Sequence, residues 1–313
     1  MGIPVRFASC LARFGAVLVV TTLVAMGSGA YAQDLEPRAY ANTPVGLNFL
    51  IAGYAYASGG VATDPSIPVK DAHLQIHSTF LAYARALDVW GKSGKVDVVL
   101  PYAWLSGSAE VAGQQREREV SGFADPRLRF SVNLYGAPAL SLEEFASYKQ
   151  DLIVGASLQV GLPLGQYDSE KLVNIGTNRW SFKPELGLSK AWGPLTLEAA
   201  AGVTFYTAND DFFGGKRRTQ EPLYSLQGHL SYNFRPGLWV GLDGTYYTGG
   251  RTTTDGVKDK NFQGNTRLGL TFALPVNRHN SVKLYASTGV STRTGSNFDA
   301  VGIAWQYRWG GGY

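Results

Sequence analysis

LTLEAAAGVTF (Leu195–Phe205) alternates without a break. Leu195, Leu197, Ala199, Ala201, Val203 and Phe205 fall on one side of an extended chain. Thr196, Glu198, Ala200, Gly202 and Thr204 fall on the other. A period of two means a strand whose faces meet different surroundings. The stretch before the C-terminus repeats it: Val301, Ile303, Trp305, Tyr307 and Trp309 alternate with Gly302, Ala304, Gln306 and Arg308. From Leu47 to Trp309 the sequence divides into about twelve such segments separated by turn residues, the signature of an antiparallel transmembrane β-barrel. Strands cross a bilayer only as a closed sheet, because an open edge strands its backbone polar groups in hydrocarbon. The expected fold class is therefore all-β, an outer-membrane barrel of about 12 strands.

The predicted strands are Leu47–Ala57, His73–Arg85, Lys95–Leu105, Pro126–Tyr135, Leu152–Leu162, Trp180–Lys190, Leu195–Tyr206, Leu223–Phe234, Leu238–Tyr247, Asn265–Leu274, Val282–Ser291 and Phe298–Trp309. Connections alternate in length. Ala191–Pro194, Arg235–Gly237 and Pro275–Ser281 are short and rich in Gly, Pro and polar residues, as tight turns require. Ser58–Ala72, Ser106–Asp125, Pro163–Arg179, Thr207–Pro222 and Thr248–Gly264 are long. Short periplasmic turns and long external loops are the barrel rule, and they place both termini in the periplasm. Gly136–Asp151 is a long exception that carries one short helix near Leu140–Tyr148. Tyr102, Trp104, Trp180, Trp192, Phe205, Tyr232, Phe234, Tyr246, Trp305, Tyr307 and Trp309 cluster at strand ends, where amphipathic rings favour the membrane–water boundary. A soluble β-sandwich would share the alternation but not the alternating loop lengths.

Arg6 and Arg13 precede an apolar run from Phe14 to Met26, and Ala30-Tyr31-Ala32 follows. That order reads as a secretory signal peptide over residues 1–32, cut before Gln33, with the barrel occupying 33–313. The run is short for a membrane helix, and nothing later reaches the length one needs. The single cysteine, Cys10, leaves with the signal peptide, so no disulfide or thiolate metal site is expected. The formal charge of +4 falls to about +2 without Arg6 and Arg13, too small a bias to suggest nucleic acid. Hydropathy near neutral (−0.08) suits a barrel with a polar lumen and not a helical membrane protein.

Several blocks resemble a known family. They are LEPRAYANTPVGLNFLIAGYAYASGGV at the mature start, LPYAWLSG (Leu100–Gly107), GFADPRLRF (Gly122–Phe130) and GLPLGQYDSEKLVNIGTNRWSFKPELGLSK (Gly161–Lys190). The sequence is similar to the family named for a MetA pathway of phenol degradation, whose members are predicted outer-membrane transporters. The resemblance implies a barrel and suggests transport; it fixes neither a solute nor a catalytic residue. The tail Gly310–Tyr313 departs from the usual aromatic end, and the pattern favours Trp309 as the closing aromatic.

Parity assigns the lumen face. The candidates are Tyr54, Tyr83, Arg85, Asp97, Arg127, Arg129, Lys183, Glu185, Glu198, Trp239, Asp243, Tyr247, Arg267, Lys283, Tyr285 and Arg308. The basic excess suggests a lumen favourable to anions, and the aromatics a lining for an aromatic or amphipathic solute. The plainer alternatives are cross-strand pairing of the charges and space filling. A barrel of this size lies between those filled by side chains and the open porins, so a narrow or plugged pore is expected.

Enzymatic chemistry finds little support. His73 and His77 lie about 13 Å apart along a strand, too far to share a metal. Asp255-Gly256 and Asn209–Asp211 read as solvated loops rather than Ca²⁺ sites. Gly214-Gly215-Lys216-Arg217-Arg218 lacks a nucleotide-binding pattern and suits contact with lipopolysaccharide. No serine–histidine pattern of an outer-membrane phospholipase is recognisable, and no cofactor motif is present. The leading function is passage of small aromatic or hydrophobic solutes; the alternative is a structural or adhesive barrel acting through its loops. Expected partners are membrane lipid, lipopolysaccharide, the outer-membrane assembly machinery and the solute, with no nucleic acid.

Overall fold

All twelve alternating segments are strands, and they close into one ring. The computed structural model describes residues 37–62, 69–111 and 113–312, so the expected signal peptide and cleavage site, and Tyr313, lie outside the described residues. In chain order the elements are β1 (Leu47–Ala62), β2 (Val69–Val89), β3 (Lys92–Val111), β4 (Gln114–Phe123), β5 (Arg127–Tyr135), α1 (Leu142–Phe145), β6 (Leu152–Gly161), β7 (Ser181–Trp192), β8 (Leu195–Tyr206), β9 (Asn209–Phe212), β10 (Lys216–Gln220), β11 (Leu223–Arg235), β12 (Leu238–Gly249), β13 (Thr252–Thr254), β14 (Val257–Lys258), β15 (Gln263–Pro275), β16 (Asn280–Thr292) and β17 (Gly295–Gly310). β1 pairs with both β2 and β17, so the sheet has no open seam. β3 hands its ladder from β4 (Tyr102–Val111) to β5 (Gly94–Val99), so β4 and β5 share one position in a twelve-stranded antiparallel barrel. The break between them falls at Ala124-Asp125-Pro126, where proline offers no N–H to a ladder.

Directly opposed residues of antiparallel strands share a face. The register therefore draws one continuous outward row: Leu197 faces Leu230, Leu230 faces Leu242, Leu242 faces Leu270, Leu270 faces Ala286, and Ala286 faces Val301. These leucines are about half exposed, whereas inward-pointing Thr196, Glu198, Gln227, Asp243 and Thr271 are buried. That inverts a soluble core: apolar groups are open to lipid and polar groups are enclosed. No helix among the described residues is long and apolar enough to cross a membrane.

The long connections carry unforeseen structure. The Ser106–Asp125 stretch is a hairpin: β3 runs on to Val111 and β4 returns, bearing Arg116, Glu117, Arg118 and Glu119. β9, β10, β13 and β14 form a separate four-stranded sheet over the same end of the barrel. At the opposite end, with the start of β1 and the end of β17, lies α1. It is closed by a capping box in which Ser141 Oγ accepts the Glu144 N–H and the Glu144 carboxylate accepts the Ser141 N–H.

Trp305, Tyr307 and Trp309 stack along β17 at ring separations of 6.2 and 5.6 Å, and Tyr83 of β2 lies 6.2 Å from Trp309. The seam thus carries an aromatic band at the termini end. Trp309→Ala is expected to lower the folded fraction, scored by heat-modifiable gel mobility, more than deletion of Gly310–Tyr313 does. The reverse order would make the tail the recognised end.

Candidate functional site

The lumen is crossed by the segment before β1. Pro37–Gly46 has no alternation and no partner strand, and its backbone turns inward. The Arg38 N–H donates to Glu198 Oε2 of β8 (2.6 Å), its guanidinium donates to Asn233 Oδ1 of β11 (2.8 Å), and it lies 5.2 Å from the Trp239 ring of β12. Tyr40 is buried, and its hydroxyl donates to Glu185 Oε1 (3.1 Å) and meets Ser157 Oγ (3.2 Å). Lys95 Nζ donates to the Ala39 carbonyl (3.3 Å). This strap runs from the seam to the far wall. Its ring fits because two directly opposed residues there, Gly155 and Gly187, have no side chain. A Cβ would stand 2.2 Å from the Tyr40 ring at the first and 2.0 Å at the second.

The wall facing the strap holds most of the parity candidates. Asp97 and Arg129 are opposed across β3 and β5 and form an ion pair (3.1 Å). Lys183 and Glu185, two residues apart on β7, form another (2.8 Å), and Gln227 also donates to Glu185 (3.3 Å). His229 Nδ1 lies 2.7 Å from Asp243 Oδ1, and Thr271 donates to Asp243 Oδ2 (2.7 Å). Arg267 donates to the Phe298 carbonyl (2.8 Å) and to Ser287 Oγ (3.0 Å). Arg127, Glu198, Trp239, Tyr247, Lys283 and Tyr285 share this inward face. Arg308 also has inward parity but sits at the termini rim, donating to the Arg278 carbonyl (2.8 Å).

Three candidates require correction. Tyr54 opposes Ile303, Tyr83 opposes Leu50 and Val98, and Arg85 opposes Asn48 and Val96, all on the outward face. Tyr54 meets His77 Nδ1 there (2.6 Å), and Tyr83 donates to Asn48 Oδ1 (2.7 Å). Tyr56 is outward as well, opposed to Val301. The parity of β1 is ambiguous because both faces are apolar: Phe49 and Ile51 point in, Leu50 and Ala52 point out. The tyrosines therefore lie on the membrane side of the wall, not in the lumen.

Phe49 and Ile51 belong to an apolar inner sector that extends over Ile76 and Phe80 of β2 and Val99 and Leu105 of β3. The Leu162–Trp180 connection folds onto it from the external end, burying Ile175 against Ala103, Ala124, Ile76 and Val120. The interior is thus two-sided, one wall greasy and the other ionic, with the strap between them. Sequence reasoning missed Arg38, Tyr40 and Lys95. The first two lie in an aperiodic leader, and Lys95 sits at a predicted strand start.

A further apolar groove of about 540 Å³ lies over Ala156, Pro184 and Ala201, flanked by Leu186, Tyr224, Leu226 and Tyr246. The β7–β8 ladder skips Lys183 and Pro184 at this place. No cluster of metal-ligating side chains occurs among the described residues.

The model of the family described as "Putative MetA-pathway of phenol degradation" matches residues 56–307. The chain belongs to that family. No curated protein sequence matches the chain. Among solved structures it is similar to an outer membrane channel from Pseudomonas putida F1, with a TM-score of 0.76 and 19% identity over 88% of this chain and 100% of that one. It also resembles the β domain of the Bordetella autotransporter BrkA (TM-score 0.53, 10% identity, 84% of this chain and 100% of that one). The transport unit of the Escherichia coli autotransporter AIDA-I is similar too (0.53, 9%, 93% and 98%). These likenesses carry the fold, a closed outer-membrane β-barrel. The phenol-degradation match begins inside β1, so the strap lies ahead of the segment that defines the family.

Proposed function

We propose that this barrel is a non-enzymatic outer-membrane channel for small aromatic or hydrophobic solutes. The observation that carries the reading is the two-sided interior. A solute with an apolar body and a polar edge meets Phe49, Ile51 and Phe80 on one wall and the charged row from Arg129 to Asp243 on the other. The ion pairs hold that row in place and leave a basic balance, which favours anionic or electron-rich solutes. The chain would reach its membrane as an exported precursor, be inserted by the assembly machinery through its last strand, and meet lipopolysaccharide with its external loops.

The test is uptake by cells with and without the chain, across aromatic acids, phenols and alkanes. Faster uptake of the aromatic compounds, and not of a sugar of equal size, is expected. Equal rates for every compound in both strains would remove the transport reading. In planar bilayers a salt gradient should give an anion-preferring reversal potential that shrinks in Arg127→Glu/Arg129→Glu. Cation preference in the unmodified chain would contradict the electrostatic half.

A further inference from the structure

The external mouth holds two buried arginines that the lumen reading does not use. Arg179 lies just before the end of the Leu162–Trp180 connection and Arg218 lies in β10; they are 6% and 3% exposed. Arg179 stands over the Tyr206 ring (4.6 Å) and Arg218 over the Phe212 ring (4.5 Å), which fixes both guanidinium planes. Each keeps a buried Nε–H with no acceptor among the described residues. The remaining hydrogen bonds are neutral: Arg179 donates to Gln220 Oε1, two residues along β10 from Arg218, and Arg218 donates to Thr252 Oγ1 (2.9 Å); among the described residues the one anionic partner is Asp259, in a long ion pair with Arg218. Two acids are nearby and both are engaged. Asp259 accepts from Thr252 and Thr254 and stays 3.9 Å from Arg218. Asp125 accepts the Gly165 N–H (2.9 Å) and both the N–H (2.9 Å) and the hydroxyl (2.5 Å) of Thr177.

A buried donor without an acceptor is costly, and more so on a charged group. Burial, and then the neighbouring Arg179 charge, lower the Arg218 guanidinium to about 10; burial lowers Arg179 too. An added anion relieves both the missing acceptors and the mutual repulsion. The Nε–H and an Nη–H of one guanidinium form a fork that matches two oxygens of a planar carboxylate. Arg251 and Arg293 lie over Phe262 at the same end of the barrel, at 5.6 and 5.2 Å.

We propose that Arg179 and Arg218 form an oxyanion-binding site at the external mouth, which takes the carboxylate of a small organic acid. As a place where solute is first held, the site rests on the channel reading; as a binding site, it stands on its own. The test is calorimetric titration of the full chain in neutral detergent at low salt with benzoate, inorganic phosphate and benzyl alcohol. Benzoate should bind and benzyl alcohol, with the same ring and no charge, should not. Arg179→Gln and Arg218→Lys should each weaken benzoate by about tenfold or more, as loss of a buried charge-assisted hydrogen bond implies. Arg218→Lys keeps the charge, so a loss there reports the fork and not the field. Arg217→Gln removes an exposed cation from the same hairpin and should change nothing. Heat-modifiable mobility of every variant separates lost binding from lost folding. No heat with benzoate, equal loss in Arg217→Gln, or full binding in Arg218→Lys would each overturn the site. Phosphate binding alone would overturn the organic acid. Because titration needs no conduction, a barrel that passes no current but binds benzoate would fail the channel reading and keep this one.

Discussion

Leu242→Arg is expected to prevent most of the chain from assembling. Leu242 lies in the middle of the outward row, between Leu230 and Leu270, and is 56% exposed to what must be lipid. A cation on the lipid face near mid-bilayer costs roughly 2–4 kcal/mol. Leu197→Arg, two strands away in the same row, should behave alike. Its chain neighbour Thr196 points inward beside Asn233, so Thr196→Arg keeps its charge in the polar lumen and should be far milder. Folded fractions in detergent, read by gel mobility at rising urea, give the comparison. Equal losses at residues 196 and 197 would mean that β8 is shifted by one residue, because a one-residue slip exchanges the faces.

The second large effect is expected from Arg38→Ala/Tyr40→Ala. Arg38→Ala keeps the backbone N–H on Glu198 but removes the guanidinium contacts to Asn233 and the Trp239 ring, and Tyr40→Ala removes a hydroxyl hydrogen bond to the Glu185 carboxylate of about 1.5–3 kcal/mol. Without them the segment has lost its side-chain hold on the far wall, and single-channel conductance should rise severalfold. Gly187→Val should act in the same direction by a different route, since even a Cβ there meets the Tyr40 ring. An unchanged current in both variants would place the constriction elsewhere, with the Ile175 loop as the next place to cut.

Alternation made the strands legible because a lipid face and a lumen face differ so sharply along β8 and β17. It failed where they do not differ. In β1 the inward Phe49 and Ile51 are as apolar as the outward Leu50, so the pattern does not fix Tyr54; in β2 the inward Phe80 and Ala82 and the outward Leu81 leave Tyr83 and Arg85 equally open. The external sheet was hidden for another reason. Its strands are two to five residues long, and TTT or KRRTQ carries no alternation to read. The strap was invisible because its position depends on Gly155, Gly187 and Glu198, each more than a hundred residues away. Nothing local to RAYANTPVG announces those partners. The ion pairs were half visible: Asp97 and Arg129 followed from parity, but only the register showed them to be directly opposed.

The route of the strap also bears on the making of the barrel. Its anchors on Glu198 and Asn233 lie 160 and 195 residues along the chain from Arg38, and β1, which follows it, closes the wall against β17. Contacts of such separation form late, after the intervening loops have been closed. The strap can reach those anchors while the wall is still open, or through the open end of the cylinder once β1 has paired with β17. In either order the ten residues before β1 must find β8 and β11 before the interior is complete. The side chains that occupy the lumen are in this sense also the gauge of correct closure. A barrel sealed with its leader outside would have the right strands, the right girdle and a lumen without its strap.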